Sequence, residues 1–352
     1  MNHLRNARWM MERNHDVLIL GIDSSPIHTN ALAMGLPFRA ILPHRRWYDF
    51  KALRRIIDIV EAEKISHFII RKVGDMSLAA GLKHTIKERI HVSYFMEMQL
   101  GIRKKSLFHT LRYRNIDVWS CPLVWLKEQV ESHTHFRNTL VVIPSGVELE
   151  QFNRPISKSE ARKTLELPQH ELIFGMAGRF DPKKGQLLLL QALLKCKNTD
   201  FLVLLMGETT VNEGSEYNQT LNQFIGRNQL HERVLLRPHD SNINEFYASI
   251  DWMVMASESE TVGMVTIEAL ASGTPIVGSN AGGTPEIMNG ADGGLLFETM
   301  NSDDLAEKID GIIDKVIVLE QSKLTALASK FDHHTVCAQV ESVLGISTTH
   351  DL

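Results

Sequence analysis

The sequence predicts an α/β fold made of two parallel, doubly wound domains. Short apolar runs, such as 172–177 and 201–206, alternate with longer stretches of helical periodicity, the pattern of strand–helix–strand units with parallel strands. Small polar loops follow two of those runs, at 178–185 and 257–262, where open parallel sheets bind their ligands. With 352 residues the chain is long enough for two domains. The expected division is 1–152, 153–330, and a C-terminal helix over 331–352.

The elements follow in order. Residues 2–13 read as a helix with Leu4, Ala7, Met10 and Met11 inward, and 17–22 as a strand. A strand over 37–43 leads to a helix near 49–63, with Phe50, Leu53, Ile57 and Val60 inward and Lys51, Arg54 and Arg55 outward. After a strand at 67–70, Arg71 and Lys72 stand in a loop at the ligand-binding edge. They read as surface bases, with contact to an acidic group as the alternative. A helix from Met76, a strand at 91–95, the basic stretch 96–116, a strand at 117–121, a helix at 122–131 and a strand at 140–143 complete this half. Residues 151–167 form the crossover. The second half reads as strands at 172–177, 201–206, 234–236, 252–256, 276–279 and 293–297. Its helices fall near 187–194, 216–228, 242–249, 263–272, 302–317, 319–331 and 335–344, with another, carrying Glu286, opened by the small-residue loop 282–285.

Composition is ordinary for a globular protein, at 43% hydrophobic and 23% charged residues. The net charge of −4 conceals an asymmetry: residues 1–150 hold 22 Lys and Arg against 15 Asp and Glu, the remainder 16 against 27. A basic first half, concentrated at Arg103, Lys104, Lys105, Arg112 and Arg114, suggests an anionic partner there: a membrane surface, a phospholipid carrier or a charged glycan. A mixed surface without a partner is the alternative, and no nucleic acid is expected. Cys121, Cys196 and Cys337 lack metal-type spacing and read as reduced thiols of a cytoplasmic protein. No stretch approaches the roughly 18–20 apolar residues that span a bilayer, and no signal-peptide pattern is present. Membrane contact is therefore expected to be peripheral, at the inner face.

Two stretches carry chemistry. The first is Gly-Arg-Phe-Asp-Pro-Lys-Lys-Gly at 178–185, a strand, a glycine turn and a helix start, a layout that cradles phosphate. It is not a P-loop; Arg179 supplies a planar fork and Lys184 a point charge. The second runs over 256–288. Glu260 and Thr261 lie in the loop before a helix, and Glu268 lies within it. The backbone N–H groups of Gly263, Met264 and Val265 at the helix start suit an anion. Carboxylates beside an anion site fit a ligand with both phosphates and hydroxyls, because they accept hydrogen bonds from sugar O–H groups. Glu260 as a solvated loop residue and Glu268 as a surface helix residue are the bland alternatives.

Glu260 and Glu268 in an E-x7-E pattern, followed by E-A-L-A-S-G-T-P-I-V and A-G-G-T-P-E-I, resemble the donor-binding signature of retaining glycosyltransferases of family four, which have the GT-B fold. The likeness runs from about Arg13 to the C-terminal helices and is strongest at 172–290. It implies two Rossmann-like domains facing a cleft, the first binding the acceptor and the second a nucleotide-diphosphate sugar. It implies that Glu260 contacts donor-sugar hydroxyls, Glu268 the ribose, and Arg179 and Lys184 the diphosphate. With those cations built in, no metal or other cofactor is expected. The acceptor would be a cell-surface or lipid-linked glycan, with the membrane contact serving it.

Several departures are visible. The family places a strand and a glycine-rich loop before the helix at 2–13, so the first domain is expected to lack its first strand, through an upstream start or a degenerate copy. Many members carry a His where Glu97 stands, and the nearest histidines are His91 and His109. Glu97 becomes a candidate contact to sugar or acceptor. Thr209 and Thr210 replace an expected second glycine, and Ser145 an expected Asn. An epimerase or hydrolase on the same fold, or a non-catalytic nucleotide-sugar-binding protein, is the alternative reading.

Overall fold

A computed structural model describes residues 2–152, 156–208, 215–238, 243–315, 317 and 319–346. Part of the expected crossover (153–155), Thr209, Thr210, and Asn242 at the head of the expected helix over 242–249 lie outside them. The chain divides into two compact units, Met1–Gly146 with His333–Leu352, and Val147–Asp332.

The first unit opens with α1 (Asn2–Glu12), β1 (Ile19–Ile22), α2 (Pro26–Ala33) and β2 (Phe38–Ile41). Ser25 caps α2, its hydroxyl accepting from the His28 N–H, with Pro26 at the first helical position, where a missing N–H costs nothing. Then come α3 (Phe50–Ala62), capped by Asp49, β3 (His67–Ile70), α4 (Met76–Ile86), β4 (His91–Phe95), α5 (Leu107–Tyr113), β5 (Val118–Cys121), α6 (Val124–His133) and β6 (Thr139–Val142).

All pairings in this unit are parallel, but the strands form two sheets: β1–β2, and β3–β4–β5–β6. Among the described residues β1 pairs only with β2 and β3 only with β4. Each therefore has one edge without a strand partner among the described residues. Leu20 and Ile41 of the small sheet pack on the core of the large one, around Ile56, Val60, Val92 and Trp119. A separate cluster of Leu4, Ala31 and Leu36, backed by Ile19 and Phe38, seats α1 and α2 on the small sheet.

The second unit continues with α7 (Lys158–Thr164), β7 (Leu172–Ala177), α8 (Gln186–Leu193), β8 (Phe201–Met206), α9 (Ser215–Arg227), β9 (Val234–Arg237), α10 (Ile243–Ser249), β10 (Trp252–Met255), α11 (Met264–Ala271), β11 (Ile276–Ser279), α12 (Thr284–Ile287), β12 (Gly294–Phe297), α13 (Ser302–Lys315) and α14 (Gln321–Ala328). Its six strands form one parallel sheet in the order β12–β11–β10–β7–β8–β9. Both β7 and β8 are buried almost throughout, so they read as continuous apolar runs. The chain winds outward from β7 through β8 to β9, returns to β10, and winds the other way, so the switch of direction falls between β7 and β10.

The last helix, α15 (His333–Leu344), belongs to the first unit. There Val336, Val340 and Leu344 pack with Phe95 and Ile143. A polar clasp ties α15 to the chain after α1: Arg13 donates twice to Glu341, at 2.7 and 2.6 Å, and His15 lies 2.9 Å from the same carboxylate. No described helix is long and apolar enough to cross a membrane.

Candidate functional site

Loops leaving the carboxyl ends of β7, β10 and β11 meet at the switch point, where an open parallel sheet leaves a crevice for a ligand. Glycines set their spacing. Gly185 adopts φ +84°, and a Cβ there would sit 2.1 Å from the Ala256 carbonyl oxygen, so the β7 loop lies directly against the β10 loop. The Glu258 N–H donates to the Lys183 carbonyl at 3.0 Å and the Gly283 N–H to the Glu260 carbonyl at 2.8 Å. Gly282, at φ +61°, packs so closely that a Cβ would be 2.3 Å from that same Glu260 oxygen.

Within this frame Lys184 Nζ donates to Glu260 Oε2 at 2.6 Å, and Ser257 Oγ donates to the same oxygen at 3.2 Å. Two residues 76 positions apart in sequence, one expected to meet a diphosphate and the other a sugar, are thus in direct contact. Both are partly buried, with side chains 28% and 19% exposed, so the contact is stronger than a surface pair and still open to a ligand. Arg179 lies at the start of the same loop; its carbonyl accepts from Gln186 Nε2 at 2.8 Å, and its guanidinium, 60% exposed, comes within 3.9 Å of Asp181.

Gly263, in the left-handed region at φ +75°, is the cap residue just before helix α11. The Thr266 N–H donates to the Gly263 carbonyl at 2.9 Å. The N–H groups of Gly263, Met264 and Val265 precede it, at the end where a helix has no acceptors of its own. Thr261 is partly buried in the loop just before. The Thr266 hydroxyl is fully buried without a hydrogen-bond partner among the described residues, 3.1 Å from where a Gly263 Cβ would stand.

Glu268 lies one turn further along α11, where its Oε2 accepts from the Tyr247 hydroxyl at 2.9 Å. Burial, then the Glu268 charge, push the Tyr247 pKa well above its usual 10, so the phenol stays a donor. Tyr247 and Ser257 are functional candidates that sequence reasoning missed. Tyr247 sits on α10, 21 positions before its partner, and no spacing signals the contact. Ser257 lies inside the Ala256–Met288 signature but carries no distinguishing pattern of its own. In the first unit, Glu97 pairs with Arg71 at 3.3 Å, and the Arg71 guanidinium carbon lies 5.2 Å from the centre of the Phe95 ring. The acidic group that Arg71 meets is therefore one of the chain's own.

Residues 157–325 match the family described as glycosyl transferases group 1. Among curated proteins, an uncharacterized glycosyltransferase of Methanocaldococcus jannaschii is 30% identical over 60% of this chain and 54% of its own. A D-inositol 3-phosphate glycosyltransferase of Mycolicibacterium smegmatis is 29% identical over 61% and 50%. The chain thus spans about half the length of the curated relatives it matches. Among solved structures, Anabaena Alr3699/HepE in complex with UDP aligns over 98% of this chain and 95% of its own, with a TM-score of 0.84 at 19% identity. That likeness is one of fold, and with the two parallel α/β units it bears out the GT-B class.

Proposed function

We propose that this chain transfers a sugar from a nucleotide-diphosphate donor to an acceptor hydroxyl with retention at the anomeric carbon, the donor held mainly by the second unit. The observation that carries this reading is the 2.6 Å contact between Lys184 and Glu260 at the switch point. It sets a cation for phosphate beside a carboxylate for hydroxyls, as a molecule containing both requires. The group 1 match over 157–325 and the UDP in the HepE structure point the same way.

In this reading Arg179, Lys184 and the N–H groups of Gly263, Met264 and Val265 hold the diphosphate and stabilise the negative charge that grows on it as the glycosidic bond breaks. Thr261 adds a hydroxyl donor at the same helix start. Without donor, Lys184 is held by Glu260; a bound diphosphate shares that ammonium and leaves Glu260 facing the sugar hydroxyls. Tyr247 orients Glu268, which accepts from the ribose. The acceptor oxygen attacks on the face the diphosphate leaves, and the departing phosphate oxygen takes its proton. The acceptor is a cell-surface or lipid-linked glycan, reached through peripheral contact of the basic first unit with an anionic membrane.

A thermal-shift screen of nucleotide-sugars tests the donor, because a ligand that binds only the folded state raises its midpoint. Transfer by Glu260→Gln should fall on the order of a hundredfold while the fold is kept. Absence of any nucleotide shift, or an unchanged rate in Glu260→Gln, would overturn the proposal. Equal turnover of donor with and without acceptor would point to an epimerase or hydrolase instead.

A further inference from the structure

Of the fifteen large hydrophobic side chains that are exposed among the described residues, nine lie in two stretches of the first unit, 42–50 and 98–111. Phe50, expected to face inward, is instead 78% exposed at the first turn of α3; Met98 is 71%, Ile102 70%, Leu107 71% and Phe108 65% exposed. A soluble surface scatters such residues singly, and concentration marks a surface that meets something apolar.

The two stretches are one surface. The Trp47 ring lies edge-on to His109 at 6.0 Å between centroids, and the Arg112 guanidinium carbon lies 4.7 Å from the centre of the Trp47 ring. Both follow the carboxyl ends of parallel strands, 42–50 after β2 and 98–111 after β4. Cations are interleaved with the apolar side chains. Lys104 feels burial first and then the charges of Arg46 and Arg112, which lower its pKa; His109 feels burial and then Arg112, Lys104 and Arg46. Arg103 and Lys105 flank the group and are exposed. Among the described residues Arg46, Arg103, Lys104 and Lys105 form no ion pair with a carboxylate.

We infer that this face docks on the headgroup layer of an anionic lipid bilayer, with Phe50, Leu107 and Phe108 entering the acyl boundary and Arg46, Arg103, Lys104 and Lys105 meeting lipid phosphates. Charge complementarity selects this occupant. Exposed apolar side chains ringed by unpaired bases match the composition that binds at the membrane interface, whereas protein interfaces are depleted of Lys. The inference rests on the peripheral membrane contact in the proposed function and gives it a location; lipid binding needs no donor, so the two are tested separately.

The experiment is co-sedimentation of the full chain with vesicles of phosphatidylcholine, with and without phosphatidylglycerol. Binding is expected only with the anionic lipid and should weaken as salt rises from about 0.1 to 0.5 M. Replacing Arg103 and Lys105 with Gln should lower partitioning roughly fivefold per cation. Leu107→Ser with Phe108→Ser should lower it at least as far, with unchanged circular dichroism and unchanged nucleotide shift. No binding to either vesicle, equal binding to both, or binding untouched by these variants would overturn the inference. So would a dimer in sedimentation velocity that Leu107→Ser and Phe108→Ser dissolve, which would assign the face to a second copy of the chain. Loss of the nucleotide shift with vesicle binding intact would count against the donor site alone.

Discussion

Replacing Gly185 with Ala tests whether the β7 and β10 loops are held together as described. Two costs add. The backbone at φ +84° is left-handed, which an L-residue with a Cβ occupies at roughly 1–2 kcal/mol. The new methyl would also stand 2.1 Å from the Ala256 carbonyl oxygen and 2.7 Å from its carbon. Both are backbone atoms, so the loops must part, at about 1–3 kcal/mol by the measure of overpacked sites. Gly290 isolates the first cost: it lies in the same unit at φ +68° with nothing within 4 Å of an added Cβ. In a chain of two units a single unfolding free energy is poorly defined, so the readout is amide exchange in β7 and β10, at residues such as Phe174 and Met253. Gly290→Ala should speed exchange about fivefold to thirtyfold and Gly185→Ala at least about thirtyfold. Gly185→Ala should also abolish the nucleotide thermal shift, because it separates Lys184 from Glu260. Equal exchange in the two variants, or an intact nucleotide shift in Gly185→Ala, would refute the argument.

Tyr247→Phe removes the hydroxyl that orients Glu268 and should cost about 1.5–3 kcal/mol, the range for a hydrogen bond to a charged group; calorimetry with a nucleoside diphosphate should show weaker binding, and unchanged binding would remove Tyr247 from the site. The Arg13–Glu341 clasp gives an acid transition. Hydrogen bonds from Arg13, then from His15, outweigh burial and hold the Glu341 pKa below its usual 4.5. A depressed carboxylate stabilises the fold above its unfolded value and loses that contribution as pH falls through the folded one. The docking of α15 on α1 should therefore loosen below about pH 4.5, read as faster exchange of the Val336 and Val340 amides. That loss should be blunted in Glu341→Gln, which has no proton to gain.

Strands over 172–177, 201–206 and 276–279 were legible to the residue, because buried parallel strands are unbroken apolar runs between polar breaks. Three short helices, α2, α5 and α7, were not. Helix α2 has a Ser-Pro start and α7 a capping box, in which the Ser157 hydroxyl accepts from the Glu160 N–H and the Glu160 carboxylate from the Ser157 N–H. Both signals were present, but each helix is too short for apolar periodicity to stand out. Arg179, Lys184, Glu260 and Glu268 were singled out from spacing and the company they keep. That Lys184 and Glu260 touch was not legible, since it depends on two strands distant in sequence becoming neighbours. Nor was the Tyr247 contact, which arises where α10 packs beside α11. The division of the first unit into two sheets was not legible either: the resemblance led only to the expectation of a missing strand, and periodicity describes each strand and says nothing about its neighbours.

That division has a mechanical consequence. The β1–β2 pair meets the four-stranded sheet through side-chain packing at Leu20 and Ile41, and the clasp at Arg13 and Met10 of α1 reach α15 and its cluster; among the described residues no ladder of backbone hydrogen bonds crosses the gap. Packing yields residue by residue when pulled, whereas a ladder resists along its whole length. Under heat, denaturant or a pull on its N-terminus, the chain should give way there first: once the clasp to α15 opens, α1, β1, α2 and β2 lift off together while the remaining strands keep their register.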